Sequence, residues 1–401
     1  MKIKPVILCG GAGTRLWPKS KNNLAKQFIN FGGWTLLDRT LQRIKDPIFD
    51  SPIISTNMSY LTQVRKHLLK NKIYKYKIIL EPYKKNTAPA ILSCALIEEV
   101  SFSQPMIFFP ADHLIDKMKQ FNKKINLSQR YLEDDNISIF GIKPKFPSSQ
   151  YGYFLTKKIS KNINKVTKFI EKPNLNIAKK IIKNKGLWNS GIIFARKIAI
   201  LNNFREYQKK IFDQCIESVF NSKVSNNVCL LSKAPFKKIE SKSFDYAILE
   251  KSKKINGIKI DIDWSDLGSW KEISTIFYKN KFKYFYKKNV FFRPWGKYTN
   301  LFIGKGFLIK EIIINPKSSI SLQKHNHRSE HWTIFSGKAK ITLNKKKFIK
   351  KAQDTIFVAR GSIHRIENPF NKPVTIMEAQ TGPILKEEDI IRYKDIYGRI
   401  K

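Results

Sequence analysis

A chain of 401 residues is long enough for two or three domains, each with its own core. Its formal net charge of +45 is a balance that ordinarily points to nucleic acid. Lysine is spread along the whole chain, however, and no basic block is interleaved with stacking aromatics. A specific nucleic-acid partner is therefore not expected, while the charge favours capture of phosphorylated small molecules. The four cysteines, Cys9, Cys94, Cys215 and Cys229, show no metal-like pairing, which fits reduced thiols in a cytoplasm. The N-terminus runs straight into an apolar strand with no signal-peptide pattern, and no apolar run approaches membrane-spanning length. A cytoplasmic protein without a membrane segment is the expectation.

The first part of the chain alternates short apolar runs with helical patterns. Strands are predicted at 5–8, 53–56, 77–80, 106–109 and 137–142, and a helix at 88–100 capped by Thr87 with Pro89 in its first turn. This alternation predicts an α/β domain, Rossmann-like, with a mostly parallel sheet and ligands at the carboxyl ends of the strands. The strand at 5–8 empties into Gly10, Gly11 and Gly13, with Arg15 beside them and Lys26 downstream. Such a turn lets backbone N–H groups approach phosphate closely, and Arg15 adds a fixed positive fork. The spacing is neither that of a P-loop nor that of a dinucleotide-binding fingerprint. Asp112 falls just beyond another strand end. From Arg293 the character changes to short strands punctuated by Gly, Pro and Asn, at 307–314, 320–323, 331–336, 338–343, 355–358 and 374–378. That pattern predicts a small barrel or sandwich, with the division placed as 1–285 and 286–401.

The segment GGAGTRLWP at 10–18 with KQF at 26–28 resembles the signature of sugar-1-phosphate nucleotidyltransferases, in the mannose-1-phosphate guanylyltransferase branch. NTAPA (86–90), FPADH (109–113), YGY (151–153), FIEKP (169–173), WNSGIIF (188–194) and DWSDLGSW (263–270) follow in the family's order. The resemblance implies that Gly10, Gly11, Gly13 and Arg15 hold the triphosphate of GTP, and that Lys26 neutralises charge at the transferring phosphate. It further implies that Asn86 and Thr87 contact the nucleotide and that Gly152, Glu171, Lys172 and Asn189 bind mannose 1-phosphate. Asp112 and Asp266 would hold Mg²⁺, a hard cation that takes carboxylate and phosphate oxygens. Trp188 and Trp264 are expected to pack beside the site. Ala25, Lys21 and Gln150 depart from the branch without removing any of these residues.

Four of the six histidines lie between 325 and 364. Gln323, His325 and His327 alternate onto one face of a strand, Glu330 follows, and a second block supplies His364. These blocks resemble the two motifs of a cupin β-barrel. The resemblance implies that Gln323, His325, Glu330 and His364 bind one divalent transition metal, with Zn, Mn, Fe and Co all compatible. RPWGKY (293–298), SLQKHNHRSEHW (321–332) and EDIIRYKDIYGR (388–399) resemble the isomerase half of bifunctional mannose-1-phosphate guanylyltransferase/mannose-6-phosphate isomerases, the type II phosphomannose isomerase family. The implied second reaction interconverts fructose 6-phosphate and mannose 6-phosphate. Arg328 is the candidate for phosphate or enediol stabilisation, with Arg365 as the fallback, and the base is open between His327 and His331. Only about twenty residues separate Trp270 from Arg293, fewer than is usual in that family, which leaves the oligomeric state open, a homo-oligomer included. A guanylyltransferase whose barrel is structural or regulatory, a transferase of other base or sugar specificity, and a polyanion-binding protein are the alternatives.

Overall fold

The computed structural model describes residues 1–11, 25–29, 34–159, 164–267, 290–304, 306–395 and 397. The described chain divides into two compact units, the larger part of the first being Thr35–Asp266 and of the second Leu267–Lys401. The expected division near 285 falls outside the described residues.

The first unit is built on one eleven-stranded sheet. Its order is Lys223–Ser225, Val228–Leu230, Lys77–Glu81, Ile53–Asn57, Lys4–Leu8, Pro105–Pro110, Leu187–Arg196, Ile137–Ile142, Ile255–Ile260, Asn164–Ile170 and Tyr153–Lys158. Both faces of the central strands are apolar, as a sheet covered on both sides requires. Ile7, Ile54, Ile78 and Phe109 enter one core with Leu37, Leu41, Val64 and Phe121, while Val6, Ile53, Ile79 and Phe108 enter another with Ile91, Ile200 and Phe204. The five strands from Val228–Leu230 to Pro105–Pro110 run parallel. Beyond them the sheet is mixed. Leu187–Arg196 inserts antiparallel between Pro105–Pro110 and Ile137–Ile142, so two predicted strands that share a direction are not neighbours. Hydrophobic pattern reports which faces are buried, not which strand lies alongside.

The helix expected at 88–100 is Thr87–Ala95. Asn86, not Thr87, is its cap: at φ +68° its side chain accepts from the Thr87 N–H at 2.8 Å. The helix stops early, and the Ile97 and Val100 carbonyls accept from the buried ammonium of Lys197, both at 2.8 Å. Leu36–Arg43 opens on a capping box between Thr35 and Asp38. The buried Asp38 carboxylate also accepts from His67, Lys70 and Asn71 at 2.7–2.8 Å, which ties this helix to Leu61–Lys70.

The second unit is two facing sheets. One runs Val290–Arg293, Gly296–Gly304, Phe307–Ile314, Val374–Thr381, Ser329–Ser336, Thr355–Val358. The other runs Lys346–Lys351, Lys338–Leu343, His364–Asn368, Leu322–His325, Ile390–Lys394, with Ser318–Ser319 paired to His364–Asn368. Trp332, Ile334, Ile341, Ile366, Val374 and Ile376 fill the space between them. Among the described residues this unit has no α-helix, as predicted. Strands 320–323 and 374–378 shift to Leu322–His325 and Val374–Thr381. Lys346–Lys351 and Ile390–Lys394 were not anticipated, because their lysines and arginine mask the alternation.

Candidate functional site

In the first unit the predicted residues gather at the carboxyl ends of the parallel strands. After Leu8 the chain turns at Gly10 and Gly11, and its carbonyls are tied down. Thr56 Oγ1 donates to Cys9 O at 3.1 Å, Asn57 Nδ2 to Gly10 O at 3.3 Å and Gln27 Nε2 to Gly11 O at 3.1 Å. Among the described residues a side chain at Gly11 would meet nothing within 4 Å, and one at Gly10 would lie 3.7 Å from the Glu81 carboxylate. Gly13 and Arg15 lie outside the described residues, as does Lys21.

Lys26 is buried at 3 % exposure. Its ammonium donates to Asp112 Oδ2 at 2.9 Å and to the main-chain carbonyl of Asp266. Asp266 Oδ1 accepts from Tyr151 Oη at 3.0 Å. Residues distant in sequence thus converge on the Lys26 ammonium, Asp112 through its carboxylate and Asp266 through its main-chain carbonyl, and carboxylate oxygens are the donors a hard divalent ion takes together with substrate phosphate. His113, beside Asp112, accepts from Trp264 Nε1 at 3.3 Å, and burial pushes its pKa down. Trp264 therefore makes a polar contact beyond the expected packing, while Trp188 packs against Tyr151 with ring centroids 4.9 Å apart.

The sugar-site residues are contiguous. A Cβ at Gly152 would collide with Glu171 Oε2 and lie 3.5 Å from Asn189 Cβ. Asn189 N–H donates to Gly152 O at 2.8 Å, and Lys172 pairs with Glu171 at 3.0 Å. Asn86 and Thr87 sit at the helix start, where the Thr87 hydroxyl accepts from Phe244 N–H at 2.9 Å.

Two acids of this region escaped the sequence reading. Asp245 accepts from Asn189 Nδ2 at 2.9 Å, and burial together with the neighbouring Glu171 pushes its pKa up to about 7. Glu81, at 6 % exposure on the end of its strand, is also pushed up to about 7 by burial and accepts from the Ser55 hydroxyl. A lone acid inside an apolar run was the available signal.

In the second unit His325, Glu330 and His364 each present a ligand atom within 4.8 Å of the others, all three side chains being buried. His325 Nε2 lies 3.1 Å from Glu330 Oε1, and His364 Nε2 lies 3.7 Å from Glu330 Oε2. The Gln323 carboxamide, opposite His364 in register, approaches both imidazole Nε2 atoms at 3.4 and 3.5 Å. All four predicted ligands are therefore together. His325 Nδ1 faces the Asp389 carbonyl at 3.3 Å and His364 Nδ1 faces the Ser362 carbonyl at 2.9 Å. These contacts hold each Nδ1 as the donor and turn the Nε2 lone pair into the cluster, the usual support for a metal-ligating imidazole. Burial alone would raise the Glu330 pKa, but His325, His364 and Arg328 hold it well below the ordinary range. Two imidazoles, a carboxylate and a carboxamide fit a divalent transition metal.

Glu378, Trp332 and Gln380 surround this cluster. Trp332 Nε1 donates to Glu330 and Glu378, both at 3.1 Å, and Gln380 Nε2 donates to Glu330 at 3.1 Å and Glu378 at 2.7 Å. Arg328, expected to meet substrate, makes contacts within the protein. Its Nε donates to Glu330 at 3.2 Å, Nη1 to Lys386 O at 2.8 Å, and Nη2 approaches His325 Nε2 at 3.3 Å. Three of its five N–H donors are thus engaged within the protein, where it braces the cluster. His327 pairs with Asp389 at 2.7 Å, and His331 turns to the opposite face of its strand from Glu330, its ring 4.6 Å from that of Phe357. Arg365, out of phase with His364, donates to Lys394 O at 3.2 Å. None of these three is directed into the cluster.

The nucleotidyl transferase family model matches residues 4–281, and that of the mannose-6-phosphate isomerase C-terminal domain matches 280–395. The alginate biosynthesis protein AlgA of Pseudomonas fluorescens is 29% identical over 467 aligned positions, spanning 98% of this chain and 96% of AlgA. Mannose-1-phosphate guanylyltransferase of Escherichia coli is 29% identical over 474 positions, spanning 100% and 99%. Both alignments exceed the 401 residues here, so these relatives carry segments that this chain lacks. Two solved structures share the fold. Mannose-6-phosphate isomerase of Helicobacter pylori has a TM-score of 0.58 at 24% identity, covering 66% of this chain and 100% of that one. The mannose-1-phosphate geranyltransferase of Thermus thermophilus has a TM-score of 0.60 at 23% identity, covering 69% and 79%. Among the described residues no helix is long and apolar enough to cross a membrane.

Proposed function

Because the chain belongs to the nucleotidyl transferase family and carries a mannose-6-phosphate isomerase C-terminal domain, we propose that it joins GTP and mannose 1-phosphate into GDP-mannose and pyrophosphate, and interconverts fructose 6-phosphate and mannose 6-phosphate. The convergence of Lys26, Asp112 and Asp266 carries the transferase reading. A phosphate oxygen of mannose 1-phosphate attacks the α-phosphorus of GTP in line, and pyrophosphate leaves. Such a transfer is governed by placement and charge rather than by a covalent intermediate. The Lys26 ammonium is fixed where negative charge builds up. Gly10 and Gly11, with Gly13 and Arg15, receive the triphosphate. Asn86 and Thr87 border the nucleotide, while Gly152, Glu171, Lys172 and Asn189 orient the sugar. Asp112 and Asp266 would hold Mg²⁺, which when bound would supply charge neutralisation for the transfer.

In the barrel, Gln323, His325, Glu330 and His364 hold one divalent metal, whose chemistry is to polarise the sugar carbonyl. The isomerisation moves one proton between the first and second carbons, leaving the overall formula unchanged. Arg328 donates to Glu330 and holds that carboxylate in place. The two reactions are not consecutive, since mannose 6-phosphate must first become mannose 1-phosphate. The reading places the protein in the cytoplasm, with domains at 1–285 and 286–401 and a homo-oligomeric assembly compatible with both.

The test is pyrophosphate release from mannose 1-phosphate and Mg²⁺ with each of the four nucleoside triphosphates. Release with GTP alone is expected; release with another nucleotide, or with none, removes the guanylyltransferase assignment. His364→Ala is expected to abolish isomerase turnover and bound metal while GTP-dependent release persists. Isomerase turnover that survives in that variant would leave the barrel metal without a catalytic part.

A further inference from the structure

The isomerase reading needs a cation for the substrate's phosphate, and the two arginines expected to serve each make contacts within the protein. Arg328 directs Nε, Nη1 and Nη2 to Glu330, Lys386 and His325 from inside the cluster, and Arg365, whose Nε is also buried without an acceptor, lies out of phase with His364 and donates Nη2 to Lys394 O. Lys310 lies 3.7 Å from Glu378. One further cation shares the metal cluster's face. Within the strand Ile390–Lys394, Arg392 lies directly opposite Gln323 and Ile390 directly opposite His325. Gln323 in turn lies directly opposite His364. Directly opposed residues of antiparallel strands project to the same side, so Arg392 points the way the ligands point. The alternate residues confirm the phase: Ile391 and Tyr393 are 39% and 46% exposed, and Lys324 lies 5.8 Å over the Tyr393 ring on that outer face.

The Arg392 guanidinium makes no hydrogen bond or ion pair among the described residues, and its Nε is buried without an acceptor. A buried cationic donor without an acceptor is costly, and the deficit is met when an anion arrives. We propose, on the basis of the isomerase reading, that Arg392 binds the phosphate group of the hexose 6-phosphate while the cluster of Gln323, His325, Glu330 and His364 takes the carbonyl end. The geometry suits the substrate. Its phosphate sits at the far end of the carbon chain from the reacting carbons, and Arg392 starts one strand beyond Gln323 at the edge of its sheet. A planar fork with paired N–H groups matches a phosphate dianion in two-point contact, which a lysine cannot do.

The experiment compares the full-length, Mn²⁺-loaded wild type with Arg392→Met and Arg392→Lys. It reads isomerase kcat and KM for fructose 6-phosphate, competition by inorganic phosphate, calorimetric binding of mannose 6-phosphate, and bound metal. Arg392→Met is expected to raise KM about 10- to 100-fold with kcat within about threefold, as loss of a charge-assisted contact to a non-reacting group implies. Phosphate competition weakens in parallel, metal content stays at the wild-type level, and Arg392→Lys falls between. An unchanged KM overturns the proposal. So does a fall in kcat at constant KM, which would put the guanidinium on the reacting carbons, or a fall in metal content, which would make it a scaffold residue. If the wild type shows no isomerase turnover the isomerase reading fails, and mannose 6-phosphate binding decides Arg392 separately: binding lost in Arg392→Met sustains a phosphate site, and equal binding removes it.

Discussion

Glu81 offers a quantitative test of how the transferase sheet treats a buried acid. Its carboxyl ends the strand Lys77–Glu81 at 6 % exposure, and Ser55 is its hydrogen-bond partner. Burial pushes its pKa from the ordinary 4.5 to about 7. The unfolded chain therefore ionises at lower pH than the folded one. As pH rises from 4.5 towards 7 the unfolded state binds fewer protons than the native state, and stability falls across that window and levels off above it. Glu81→Gln keeps the shape and the Ser55 contact but removes the titration. At about 1.4 kcal/mol per pKa unit, the wild type should lose about 2 kcal/mol between about pH 5.5 and pH 7 that the variant keeps. The melting temperature of the transferase unit in Glu81→Gln should then gain on the wild type by about 4–8 °C between about pH 5.5 and about pH 8.5. Paired calorimetric scans at the two pH values measure this, and groups common to both proteins cancel in the difference. A gap of equal size at both pH values would mean that Glu81 is already ionised at the lower one, and the argument from burial would fail.

Three further outcomes follow from the geometry. Lys26→Met should lower kcat/KM for GTP-dependent pyrophosphate release about 100- to 1,000-fold, because a fixed charge beside the transferring phosphate is removed, while isomerase turnover is retained. Gly152→Ala forces a methyl group into Glu171 Oε2, so KM for mannose 1-phosphate should rise about tenfold with little change in KM for GTP. Asp389→Ala removes the acceptor for His327 Nδ1 and for the Asn326 and His327 N–H groups but keeps the main-chain carbonyl that faces His325; the barrel's melting temperature, read by calorimetry, should fall by about 4–8 °C while its metal content stays at the wild-type level.

Much of this was legible because local chemistry and local pattern coincide. The Gly10–Gly11 turn follows the apolar run that ends the strand Lys4–Leu8, and the His325 and His364 blocks carry their ligands at strand spacing, so both are legible from the residues and their resemblance. What the sequence hid depends on neighbours. The antiparallel entry of Leu187–Arg196 follows from sheet order, which periodicity does not encode. Glu378 and Gln380 alternate as a core strand does, yet they point at Glu330, and only the register Glu330 opposite Gln380 shows that their polarity is matched. Arg328 sits in the cluster's motif, and its tie to the Lys386 carbonyl is a contact 58 residues away along the chain.

The tail from Lys386 to Lys394 bears on the order in which the molecule matures. His325 takes its orienting carbonyl from Asp389, 64 residues later, and the Leu322–His325 strand gains a neighbour when Ile390–Lys394 pairs with it. During synthesis the first three ligands emerge well before the residues that aim one of them. The barrel's metal centre is therefore completed late, after the sheet that holds Lys26 and Asp112 has all its strands. A single proteolytic cut ahead of Lys386 would separate the two activities, sparing the nucleotide-handling half while leaving the isomerase half with misaligned ligands.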